Sequence, residues 1–266
     1  MYPETATLID IGANLSHESF REDFDAVISR AKAAQIEKLI LTGTDIVSNQ
    51  RAIELCQRYP GYLYSTVGLH PHEASHFNDE IKSILRKQTT NTCVKSLGET
   101  GLDFNRNFSS PKDQEHAFIE QLTLATELQM PLFLHQRDAH KRFLPILKEF
   151  REQLSKLVVH CFTGTKDELF DYLDMDLYIG ITGWVCDERR GYSLHALLHE
   201  IPPNRLMLET DAPYLMPRNI LPKPKSRRNE PANLTFVLAK VSECLGKSPK
   251  SVAEQTSSNA RDFFAL

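Results

Sequence analysis

Eight short apolar runs separated by amphipathic stretches set the tightest limit on what this chain can fold into. The runs are Thr7–Ile11, Lys38–Leu41, Leu63–Val67, Val94–Leu97, Pro131–Leu134, Leu157–Val159, Leu177–Gly180 and Leu206–Leu208. Most are apolar on both faces, as strands of a sheet covered by helices must be. Between them, apolar residues recur at helical spacing, as in Phe118, Leu122, Ala125 and Leu128, or Leu234, Leu238, Val241 and Leu245. That i, i+3, i+4 pattern gives each helix one buried face. Eight strands alternating with helices in 266 residues is the count of an α/β TIM barrel, (β/α)8, with a doubly wound open sheet as the competitor.

The polar residues at the strand ends favour the barrel. Val94–Leu97 runs into Gly98-Glu99-Thr100-Gly101-Leu102-Asp103, read as a glycine-punctuated loop carrying a carboxylate. Leu132–Leu134 ends in His135, Leu157–Val159 in His160, and Leu206–Leu208 leads through Glu209 and Thr210 to Asp211. These residues come from strands spread along the chain, and a barrel brings every strand end to one mouth. No low-complexity linker interrupts the pattern, so residues 1–266 read as one domain. Ala212 to Pro231 contains five prolines between Pro213 and Pro231, which excludes continuous helix or a central strand and predicts a long loop.

Composition narrows the function classes. A net charge of −4 argues against a broad surface that coats nucleic acid regardless of sequence. No run approaches the roughly 18 apolar residues of a membrane span, and Met1 to Thr7 lack the features of a secretory signal. Cys56, Cys93, Cys161, Cys186 and Cys244 are scattered, without a C-x-x-C pair, as expected of a reduced, cytoplasmic protein.

Glu99, His135, His160 and Asp211 together offer mixed nitrogen and oxygen ligands for one divalent ion, Zn²⁺, Mn²⁺ or Mg²⁺. Cys161 adjoins His160, and strand alternation turns it to the opposite face, as packing. His70, in Gly68-Leu69-His70-Pro71-His72, is a candidate ligand, acid/base group or phosphate donor. His72 and His76 read as loop histidines, and His17, His116, His140, His195 and His199 as solvated ones on or beside helices. Lys223, Lys225, Arg227 and Arg228 fall in the proline-rich loop, Arg189 and Arg190 follow the seventh run, and Arg106, Arg137, Lys141 and Arg142 follow the fourth and fifth. Gathered at one mouth they would form a phosphate-attracting funnel, with Trp184, Phe104 and Tyr214 as candidate base-stacking rings.

These motifs resemble the TatD family of metal-dependent nucleases. The matching strings are Gly-Leu-His-Pro-His (68–72), Gly-Glu-Thr-Gly-Leu-Asp-Phe (98–104), His-Gln-Arg-Asp-Ala (135–139), His-Cys-Phe-Thr-Gly (160–164), Glu-Thr-Asp-Ala-Pro-Tyr-Leu (209–215) and Arg-Asn-Glu-Pro (228–231). They occur in family order from residue 68 to residue 231. The resemblance implies an amidohydrolase-type TIM barrel acting as a 3′–5′ exodeoxyribonuclease on single-stranded ends, with some RNA activity. It implies a metal site of Glu99, His135, His160 and Asp211, and catalytic roles for Glu99, for Asp211 as activator of water, and for His70. It places His70 on the substrate phosphate; Asn14, Arg137, Arg228 and Asn229 are the further substrate candidates, Arg137 and Arg228 as loop cations that offset charge developing on phosphorus. Many relatives carry His-x-His in the first strand where this chain has Gly12 and Asn14. That departure implies one tightly held ion, with a second position in doubt, and moves the expected metal towards Mg²⁺, with Mn²⁺ and Zn²⁺ as alternatives. A monomer acting in DNA repair is the corresponding expectation. The alternatives are another hydrolase on the same barrel, such as an aminoacyl-tRNA deacylase, and a non-catalytic nucleic-acid-binding barrel.

Overall fold

A computed structural model describes residues 7–189 and 191–266; Met1 to Ala6 and Arg190, one of the basic candidates, lie outside the described residues. All eight expected strands form: β1 (Leu8–Ala13), β2 (Ile36–Leu41), β3 (Leu63–Val67), β4 (Val94–Asp103), β5 (Leu132–Arg137), β6 (Leu157–Val159), β7 (Tyr178–Ile181) and β8 (Leu206–Leu208). The α-helices are α1 (Phe24–Ala33), α2 (Ile46–Arg58), α3 (Asp79–Gln88), α4 (Pro111–Leu128), α5 (His140–Phe150), α6 (Lys166–Asp174), α7 (Tyr192–Leu197), α8 (Leu234–Leu245) and α9 (Pro249–Phe264). The strands lie in sequence order in one sheet, and the residues after β8 return to β1 through an Ala13–Ala212 bridge. This is the (β/α)8 barrel topology.

Two compact units divide the chain. The first comprises Met1–Leu41, Cys161–Leu169 and Ile179–Leu266. Within it β1 pairs with β2 and β7 with β8, all parallel. Helix α9 closes on this unit, with Ser257 Oγ donating to Thr7 O and Asn259 Nδ2 donating to Leu206 O. The second unit comprises Thr42–His160 and Phe170–Tyr178, and carries the parallel ribbon β3–β4–β5–β6.

β4 corrects one expectation. The Gly98–Asp103 segment is not a loop after the strand; it is the second half of a ten-residue strand, and Val94 and Ser96–Asp103 are buried. Glycine permits this because β5 presses against it. A Cβ at Gly98 would lie 2.2 Å from Phe133 O, and one at Gly101 1.8 Å from His135 O. The segment from Asp211 to Glu230 contains neither helix nor extended strand, as its prolines require.

Candidate active site

The second unit gathers its chemistry on β4. Side chains on a strand alternate between faces, so Glu99, Gly101 and Asp103 share one face. Gly101 pairs in register with His135 of β5, and its missing side chain leaves room for that strand between the two carboxylates. Helix α4 holds the surrounding backbone with two buried glutamines seven residues apart. Gln114 accepts from Asp103 N at 2.8 Å and donates to Asp103 O and Ser109 O, while Gln121 accepts from Leu69 N at 2.8 Å and donates to Leu69 O.

Three imidazoles converge on one oxygen of the buried Glu99 carboxylate. Oε1 lies 2.7 Å from His160 Nε2, 2.8 Å from His135 Nδ1 and 3.4 Å from His70 Nε2. His135 Nδ1 and His160 Nε2 are themselves 3.3 Å apart. His70 caps the short helix Pro71–His76 and accepts the His72 backbone N–H at Nδ1, 3.1 Å. That bond commits Nδ1 as an acceptor and leaves Nε2 facing Glu99. Neutral His70 therefore carries its proton on Nε2 and stands beside the cluster as a donor aimed at Glu99.

Asp103 extends the cluster outward. Its Oδ2 lies 2.8 Å from His72 Nε2 and 3.6 Å from His135 Nε2, a buried nitrogen that finds no hydrogen-bond partner within ordinary reach. His72 is thus not an ordinary loop histidine: its ring also meets His70 edge-on at 4.2 Å. His140 is not solvated either, since it bonds Tyr172 OH at 3.0 Å and Asp171 at 2.8 Å.

Electrostatics follow from this packing. Burial would push the Glu99 carboxyl up, but the charges of His160 and His70 and bonds from His135 and His160 hold it well below its ordinary range. Asp103 is likewise held far down, against its burial, by His135 and His72. Burial lowers His70, only partly offset by Glu99. His135 is raised, because Asp103 and Glu99 outweigh its burial.

The donors suit a metal ion. Ligand atoms bound to one ion at about 2.0–2.2 Å stand roughly 3–3.5 Å apart, close to the separations found here. The carboxylate is held ionised and the imidazole set is rich in nitrogen, as borderline divalent ions prefer.

The first unit holds the other expected residues. Asp211 sits just beyond β8 with a left-handed backbone, φ 54°, which its N–H bond to Gly12 O stabilises. Asn14 Nδ2 donates to Asp211 Oδ1 at 2.9 Å. Behind it, Asp10 accepts Thr210 N at 2.9 Å and Thr210 Oγ1 at 2.5 Å. Burial, with Glu209 nearby, raises the Asp10 carboxyl to about 7 in spite of the Thr210 and Gly12 bonds. Cys161 is not an alternating strand residue: it turns with φ 47°, its N–H reaches Glu209 Oε1, and its Sγ lies 3.5 Å from Thr182 Oγ1.

Two expected substrate residues are also engaged within the first unit. Arg228 pairs with both oxygens of Asp23, at 2.8 and 2.6 Å, and covers the Phe20 ring. Asn229 is fully buried, donating to Thr210 O and accepting from Glu230 N and Asn233 Nδ2. Arg142 is engaged by Glu115, whereas Arg137 is exposed at the end of β5. Sequence reasoning missed Asp10, His72, Asp103, Gln114 and Gln121 as site residues. Polar glutamines on the otherwise apolar face of α4 were the available signal.

Among the described residues no helix is long and apolar enough to cross a membrane. The TatD related DNase family model matches residues 9–265. The chain is 50% identical over 259 residues to the 3′-5′ ssDNA/RNA exonuclease TatD of Pectobacterium atrosepticum, covering 97% of this chain and all of that one. A solved TatD family hydrolase from Entamoeba histolytica superposes with a TM-score of 0.88 at 27% identity, covering 98% of this chain and 99% of that one. An amidohydrolase from Bifidobacterium longum shares the fold, with a TM-score of 0.57 at 13% identity over 98% of this chain and all of that one. The chain belongs to the TatD related DNase family.

Proposed function

We propose that this protein is a divalent-metal-dependent 3′–5′ exonuclease that trims single-stranded DNA ends and also accepts RNA. The observation that carries the reading is the Glu99 carboxylate ringed by His70, His135 and His160, in a chain half identical to a protein named for that activity. Glu99, His135 and His160 would hold the ion, and His70, with its proton on Nε2, would meet the scissile phosphate. A bound divalent ion supplies Lewis acidity to a phosphate oxygen and lowers the pKa of a bound water. Asp211 takes the proton of the attacking water, its carboxylate held in orientation by Asn14. Neutral His70, with Nδ1 committed to the His72 N–H, offers only Nε2 to the reaction. Exposed Arg137 draws in the phosphodiester and offsets charge developing on it.

The nitrogen-rich cluster supports Mn²⁺ or Zn²⁺ at the tight position at least as well as the Mg²⁺ expected from the first-strand departure. Five free cysteines support a reducing, cytoplasmic setting, and we place the protein there as a monomer serving DNA repair. Metal-stripped protein given end-labelled single-stranded DNA with Mg²⁺, Mn²⁺ or Zn²⁺ in turn tests the reading. The expected product is a ladder shortening from the 3′ end with at least one ion. Demonstrable DNA binding without cleavage under any ion would overturn it in favour of a binding-only or deacylase role.

A further inference from the structure

We propose that Phe108 is a base-stacking platform beside the catalytic cluster, receiving an unpaired nucleobase next to the scissile phosphate; this rests on the nuclease reading. Phe108 is a large apolar side chain left 67% exposed, and burial in water's absence is what such a ring ordinarily seeks. Its one described ring contact is with His72, edge to face at 4.7 Å. His72 in turn meets His70 at 4.2 Å, and His70 meets His135 at 4.7 Å. Only the His72 ring therefore stands between the exposed ring and the Glu99 cluster.

The segment carrying it is braced on both sides. Asp103 Oδ1 accepts the Asn105 and Arg106 N–H groups at 2.9 Å each. Asn105 Nδ2 reaches Asp138 at 2.8 Å, and Asn107, with φ 49°, donates from its side chain to Phe104 O. On the far side, buried Ser109 donates to His72 O at 2.8 Å and accepts from Ser75 N. The chain thus holds an aromatic face in solvent on a fixed turn, with the exposed Arg106 two residues away. A pre-ordered ring loses little conformational freedom on binding, and every base has a π-face to lay on it without regard to sequence. A base inside a duplex is already stacked and paired, so a Phe108 platform selects single-stranded ends. This assigns a stacking role to Phe108, where sequence reasoning named Trp184, Phe104 and Tyr214; of these Phe104, the one nearest in sequence, is half-buried with its N–H bonded to Arg137 O.

The experiment compares wild type, Phe108→Ala and Phe108→Trp on single-stranded oligonucleotides that are intact or abasic at one of the last three 3′ positions. KM from cleavage and affinity of the metal-stripped protein by fluorescence anisotropy are read together. Phe108→Ala should raise KM and Kd about tenfold with kcat little changed, and Phe108→Trp should restore both. One abasic position should cost wild type about the same factor and cost Phe108→Ala nothing further. Unchanged affinity in Phe108→Ala, or an abasic penalty that persists in it, would overturn the assignment. Wild type that cleaves under no metal sinks the nuclease reading instead, while anisotropy still decides the role of Phe108.

Discussion

Asn14 Nδ2 donates to Asp211 Oδ1 at 2.9 Å, so the residue that follows the first strand holds the carboxylate proposed to take the water's proton. An amide orients that carboxylate without competing for a metal. Asn14→Ala should lower kcat about 10- to 100-fold, the usual range for an orienting partner, with metal content unchanged. Steady-state kinetics beside metal analysis checks this, and a change in KM alone would place Asn14 on the substrate instead.

Asp103 faces the outer nitrogen of His135 at 3.6 Å, the arrangement that fixes a ligating imidazole's tautomer and strengthens it as a donor. Asp103→Asn should weaken metal affinity about 10- to 100-fold while far-ultraviolet circular dichroism stays the same. Wild-type affinity by calorimetry would contradict it.

Gly101 admits β5 because it has no side chain. Gly101→Ala would place a Cβ against the His135 carbonyl at φ 147°, and should cost about 3 kcal/mol or more. Denaturant titration reads the loss, and metal binding should fall with it because the strand that moves carries His135.

Asp10 makes stability depend on pH. Its carboxyl titrates at about 7 when folded against 3.8 as a reference, so the folded state binds the extra proton between those values. Stability from this group is greatest below pH 4, declines as pH rises towards 7, and is flat above, with a total of up to about 4 kcal/mol. Asp10→Asn should remove that slope in urea titrations between pH 5 and 8. An identical slope in the variant would show that another group is responsible.

Arg137 and Arg228 should separate cleanly. Arg137→Ala should lower kcat/KM on DNA and flatten its salt dependence, with the melting temperature unmoved. Arg228→Ala should cost about 1 kcal/mol of stability through the lost Asp23 pair and the Phe20 contact, and affect turnover little. The reverse pattern would return Arg228 to the substrate.

The strands were legible because doubly covered strands are apolar throughout, so Leu63–Val67, Leu157–Val159 and Leu206–Leu208 match the observed limits. The length of β4 was hidden because Gly98 and Gly101 read as breakers, although here they are spaces for a neighbouring strand. Once β4 is read as ending at Leu97, the shared face of Glu99 and Asp103 disappears, and with it the link from Asp103 to His72. The Arg228 ion pair was hidden for a different reason: its partner Asp23 is 205 residues away, so a basic run gives no sign that one member is already engaged. His135 and His160 needed no such distant knowledge, since each simply terminates or follows its own apolar run.

Asn229 also closes the proline-rich loop at its neck, its N–H bonding Pro213 O and its side chain bonding Thr210 O. The consequence is modularity. What lies between Pro213 and Asn229 is a cassette whose two ends are already joined, anchored within by Arg228 on Asp23 and exposed throughout residues 221–227. Doubling its length would add only about 0.6 kcal/mol of closure entropy. Length added in that exposed stretch therefore carries little thermodynamic penalty, while Asp211 keeps its orientation.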